Sequence, residues 1–158
     1  PGSPVTGPIR GALRAQGYDH VMDFLRLTPD CERRVERVGE EFLAAIYAAE
    51  TERRPDNLAA LAELGHVYTR LGRYEDGLEV DIKLVAFAPT DPTVRYNLAC
   101  SQALVGHDDA AIGSLEVAVE LGYTDGTFMG EDEDLVSLRT NPRFVALLEH
   151  LEGESSTA

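Results

Sequence analysis

The chain predicts an all-helical fold of stacked helical hairpins, and three observations predict it. Gly72 and Gly106 stand thirty-four residues apart, as do the small residues Gly65 and Ala99, and as do Pro55 and Pro89. A period of this length marks one helix-turn-helix unit per repeat, each burying its apolar face against the next. Composition agrees. Hydrophobic residues make up 44% of the chain and tryptophan is absent, so the core must be mostly Leu, Ala, Val and Ile. Alanine and leucine lose little side-chain freedom in a helix. At 158 residues the sequence is one domain's worth of chain.

Taken in order, residues 1–27 read as an arm. Pro and Gly dominate its first part, and Val21, Met22, Phe24, Leu25 and Leu27 form a short apolar segment dense enough to dock. The domain proper is expected over 28–152, with a disordered tail over 153–158. Thr28-Pro29-Asp30 is a helix start: a hydroxyl to cap, a proline for the first turn, and an acid beside the positive dipole end. From there Val35, Val38, Phe42, Ala45, Ile46 and Ala49 fall on one helical face, to about Arg53 before Pro55. Residues 57–71 and 74–88 then form a hairpin around Gly72, and 92–105 and 108–121 a second around Gly106. After Gly122 the rhythm breaks. Glu131 to Asp134 reads as a solvated helix start, and Asn141-Pro142 opens a last helix carrying Phe144, Leu147, Leu148 and Leu151.

The stretch from Leu58 to Asp91 resembles the tetratricopeptide repeat (TPR) through Leu64, Gly65, Tyr68, Gly72, Tyr74 and Pro89. The next unit resembles it through Tyr96-Asn97-Leu98-Ala99, Gly106, Ala111, Leu115 and Ala118. Gly77, Asp81 and Leu84 depart from the pattern, where the family prefers Ala, an aromatic and Ala. Leu78, Ile82 and Val85 are therefore expected to carry the packing face of that helix. Asp134 to Phe144 is similar to the segment that closes many such arrays. The resemblance implies a right-handed α-α superhelix of TPR hairpins, with a long N-terminal helix and a C-terminal capping helix.

It also implies a concave groove lined by the first helix of each hairpin, where extended peptides lie. By repeat position the groove is expected to present Ala59, Ala62, His66, Thr69 and Arg70 from one unit, and Thr93, Tyr96, Asn97, Cys100 and Leu104 from the next. The candidate contact residues are His66, Thr69, Arg70, Thr93, Tyr96, Asn97 and Cys100. Tyr96 supplies contact area and Asn97 an amide for a peptide backbone, while packing between hairpins is an equal reading for Tyr96. Cys100 reads as a small filler. The family's best-known groove holds a terminal carboxylate with several basic residues. Here Ala62 stands where one is needed, so that mode is not expected.

Charge narrows the partners. The net charge is −14, and almost all of it falls after residue 54, where the balance is −13. Such a body repels nucleic acid and anionic membrane surfaces and favours neutral or basic polypeptides. Cys31 and Cys100 have no metal-like spacing, and the scattered histidines do not supply one. His107-Asp108-Asp109 sits before a helix, where acids complement the dipole, and reads as a cap. No phosphate loop and no nucleophile motif occur, so neither catalytic residues nor cofactors are expected. The expected function is a cytoplasmic protein-protein adaptor. The alternatives are a small acidic secretion-type chaperone and a self-assembly or docking domain of a larger protein; the apolar N-terminal segment is in addition a candidate for joining copies of the chain. Lys83 is the one lysine among the basic residues, an arginine bias that points to a GC-rich, bacterial source.

Overall fold

The computed structural model describes residues 29–155. The chain divides into two units, Pro1–Gly39 and Glu40–Ala158. Expectations about residues 1–27, including the apolar segment, and about the Thr28 cap lie outside the described residues. The described elements are α1 (Pro29–Arg53), α2 (Leu58–Arg70), α3 (Tyr74–Phe87), α4 (Pro92–Leu104), α5 (Asp108–Glu120), α6 (Gly126–Glu131), a 3-10 turn (Glu133–Leu138) and α7 (Pro142–Ser155). The last helix continues through Gly153, where the sequence suggests a tail.

Within the first unit, the described part of α1 is exposed and Arg33 pairs with Asp30 at 3.4 Å. In the second unit, helices pack in chain order: α2 on α3, α3 on α4, α4 on α5. Each hairpin start is capped by a side chain that matches its position. Asn57 accepts the Ala60 N–H at 3.2 Å, and Asp91 accepts those of Thr93 and Val94 at 2.8 and 3.2 Å. Pro92, just inside α4, has no N–H to leave unpaired there. His107 occupies the cap position of α5 without a side-chain capping bond, while Asp108 and Asp109 occupy its first turn. The dipole part of that expectation therefore applies to the acids and not to the histidine.

The hairpin turns use one device twice, and α5 ends with it too. Gly72 and Gly106 take φ values of 72° and 79°. The following N–H then reaches back to a carbonyl five residues earlier, Arg73 to Tyr68 and His107 to Gln102, both at 2.8 Å. Only a residue without Cβ takes that backbone conformation cheaply.

The buried faces differ from the sequence expectation in two places. On α1 the buried residue is Ala44, flanked by Tyr47 and Ala48, and Phe42 is 66% exposed. Val35, Val38 and Ile46 are exposed as well. On α3 the buried residues are Gly77, Val80, Asp81 and Leu84, and Ile82 is 53% exposed. The repeat register wins over residue polarity because the backbone meets α2 and α4 along that line. A carboxylate occupies an aromatic's place there.

Two apolar clusters result. One gathers Ala44, Leu61, Leu64, Val67, Val80, Leu84 and Val94. The other centres on Ile112, Leu115, Met129, Leu135, Leu138, Phe144 and Leu151, so the segment after α5 belongs to the core. Its tightest point is Gly126, where an added Cβ would lie 2.8 Å from Leu151 Cβ. Gly126→Ala is therefore expected to destabilise the protein by about 1–3 kcal/mol through overpacking. Gly113→Ala, inside α5 with nothing within 4 Å, is expected to stabilise it by about 0.5–1 kcal/mol. Urea unfolding of the two variants reads both signs.

Candidate functional site

A cavity of about 300 Å³ opens between α2, α3, α4 and the segment after α5. Its lining includes His66, Thr69, Arg70, Tyr96, Asn97 and Cys100, six of the seven sequence candidates. Thr93, exposed in the first turn of α4, is not part of it. The helical repeat explains the grouping. Residues 66, 69 and 70 share one face of α2, and 96, 97 and 100 share the matching face of α4.

The structure gives several of these side chains a different duty from peptide contact. Arg70 forks onto Glu40, with both N–H···O distances at 2.9 Å. That bond, made to the charged carboxylate, holds the Glu40 pKa below the usual range. The guanidinium is thus already engaged. Tyr96 is 4% exposed. Its ring stacks on Tyr123 with centroids 4.5 Å apart, and its hydroxyl donates to Asp132 Oδ2 at 2.6 Å. Burial, with the neighbouring thiol and carboxylate, pushes the Tyr96 phenol far up, and burial pushes Tyr123 up to about 12. Both are neutral hydroxyls. Cys100 is buried too, and burial together with the charges of Asp132 and Asp134 pushes its thiol well up. Its burial and raised thiol fit a packing role. Asn97, His66 and Thr69 keep accessible surface at the cavity.

The remaining lining comes from residues the sequence does not single out as site residues: Gly65, Asp81, Ser101, Phe128, Asp132 and Asp134. Asp81 is 5% exposed and accepts the Ser101 hydroxyl at 2.5 Å. Gly65 makes the space, since a Cβ there would come within 3.2 Å of Asp81 Oδ1. Burial raises the Asp81 pKa above the ordinary carboxylate range, against the opposing effects of the Ser101 bond and the His66 charge. Asp134 is raised as well, by burial first and then by Asp132 and Glu133. Glu131 to Asp134 does lead into a helix, the 3-10 turn, and Glu131 and Glu133 are exposed as expected, but Asp132 and Asp134 are half-buried. Asp132 caps the 3-10 turn through the Asp134 N–H at 2.9 Å and holds Tyr96 with its other oxygen. A signal for Asp81 does exist in the sequence: an acid on a buried register position, opposite a glycine one helix back and a serine one helix on.

No protein-family model matches the chain. Among curated proteins, a chloroplastic protein of Arabidopsis thaliana is 28% identical over 109 residues, covering 67% of this chain and 32% of that protein. The chain thus spans about a third of that relative's length. Among solved structures, MamA MSR-1 C2, a TPR-containing protein, aligns with a TM-score of 0.57 at 20% identity. The alignment covers 77% of this chain and 72% of that one. The fold is TPR-like. The cavity is lined by the face that α2 and α4 share.

The buried carboxylate gives a pH test. With its folded pKa raised, Asp81 holds a proton in the folded chain over a range where the unfolded chain has lost it. Stability from this group therefore falls as pH rises through that range. Asp81→Asn removes the charge and keeps an acceptor for Ser101. The variant is expected to gain stability relative to the parent at pH 7, and the gap to narrow as pH falls toward the ordinary carboxylate range. Paired thermal unfolding of the two chains across pH 4–7 reads it, and a gap that widens on acidification contradicts the assignment.

Proposed function

We propose that the protein is a non-catalytic adaptor whose concave groove holds an extended segment of another protein. The observation that carries this reading is the convergence of Asn97, Thr69 and His66, from the first helices of successive hairpins, on one cavity of about 300 Å³. Such a cavity is at the small end of ligand sites, suited to one side chain of a longer segment and not to a large cofactor. Asn97 carries both a donor and an acceptor, which is what a peptide backbone requires of a partner. Phe128, 54% exposed at the cavity, supplies apolar area beside it.

The partner on this reading is a neutral or basic polypeptide, because the lining carries three aspartates and its one arginine is already paired. Among the described residues no helix is long and apolar enough to cross a membrane. Tyr96 is a core residue, so truncating it would test packing and not binding. Asn97 is the better probe.

A displayed library of random twelve-residue peptides is to be selected on the full chain, and the recovered peptides titrated against variants. Asn97→Ala is expected to weaken them about tenfold, the loss of a buried hydrogen bond to a backbone group. Lys83→Ala, exposed on α3 and apart from the cavity, is expected to leave affinity unchanged. Peptides indifferent to Asn97→Ala would move the binding surface off the groove.

A further inference from the structure

We propose that the cavity is a pocket for one arginine side chain of the bound segment, an inference that rests on the groove reading above and names its ligand chemistry. Three aspartates line the cavity, and they differ in what they already hold. Asp132 is fully engaged: Oδ2 takes the Tyr96 hydroxyl at 2.6 Å and the Cys100 thiol at 3.7 Å, and Oδ1 takes the Asp134 N–H at 2.9 Å. Asp81 holds one hydrogen bond, from Ser101, and among the described residues no Arg or Lys pairs with it. The Asp134 carboxylate takes neither a hydrogen bond nor an ion pair from the described residues. A carboxylate as buried as Asp81 ordinarily comes with a cation or several donors, because desolvating an unpaired charge costs several kcal/mol. Among the described residues that complement is missing.

The nearby cations do not provide it. Arg70 reaches the cavity but is forked onto Glu40. His66 sits at the rim, and its charge is felt by both Asp81 and Asp134. It is exposed, which leaves it free to turn aside for an incoming group. A metal ion does not fit, since among the described residues no three His, Cys, Asp or Glu side chains are placed to hold one. An organic cation does. A guanidinium brings five N–H donors in a plane, so one group can serve two carboxylates at different positions. Its flat face also stacks on aromatic rings, and Phe128 stands at the cavity with its ring tilted 50° to Tyr96 and 6.0 Å away. Burial raises the pKa of both free carboxylates, and a cation between them reverses that cost.

The test runs the random-peptide selection in parallel on the parent chain and on D81N. The parent is expected to enrich arginine at one fixed peptide position, and D81N is expected not to. One recovered peptide is then titrated beside its analogue with citrulline, which keeps the shape of arginine and drops the charge. Arginine is expected to bind about tenfold tighter or more, the worth of a hydrogen bond to a charged group. D134N, half-buried at the cavity and so less demanding of the fold, is expected to shrink that ratio as well, with circular dichroism confirming an intact helix signal. Peptides that depend on Asn97 but bind equally with arginine and citrulline would overturn the pocket and leave the groove standing. Peptides that do not depend on Asn97 would overturn both.

Discussion

The arrangement depends on one crowded point where three helices meet almost without side chains. Gly65 on α2, Gly77 on α3 and Ser101 on α4 face one another there: a Cβ on Gly77 would lie 3.8 Å from both the Gly65 carbonyl oxygen and Ser101 Oγ. Missing side chains let α3 come close to both neighbours. One turn along α3, that closeness takes Asp81 out of water and aims it at the groove. The helix spacing and the groove's electrostatics therefore share one cause. A larger residue at position 65 would push against Asp81 Oδ1, within 3.2 Å of its Cβ, before it disturbed any apolar contact.

The second determinant is the segment after α5. Leu135 and Leu138 are fully buried, and Phe144 with them, so the chain folds back over α4 instead of ending at the second hairpin. The Tyr96–Asp132 hydrogen bond and the Tyr96–Tyr123 stack fix that return. Their consequence falls on the cavity. Residues that a simple two-hairpin array would offer to a ligand, Tyr96 and Cys100, become the floor. In exchange, Phe128, Asp132 and Asp134 arrive from a different part of the sequence to form a wall.

This explains what was legible in the sequence. Helix limits follow from Pro55, Gly72, Pro89 and Gly106, because turns and helix stops are local chemistry. The groove face follows from repeat position, since 66, 69, 97 and 100 must share a side once the helices stack. Asp132 and Asp134 were not legible, because an acidic run reads as solvated until something folds it against α4. The engagement of Arg70 was not legible either. Its partner Glu40 lies thirty residues away on α1, where the helical period alone suggested a different buried face. Polarity misled on α3 as well: Ile82 looked like core and Asp81 like surface, but the thirty-four-residue register fixed the reverse.

Charge acts on this surface in two ways. The acidic body sets up a long-range field, which salt screens over about 10 Å. The cavity acts differently. Its carboxylates are partly or wholly removed from water, where an ion pair is screened little and geometry decides whether it is favourable. Of the described arginines, Arg70, the one that lines the cavity, is forked onto Glu40, and Arg143 is forked onto Glu116. On the pocket proposed above, Asp81 and Asp134, which no described Arg or Lys pairs, would be what selects among partners.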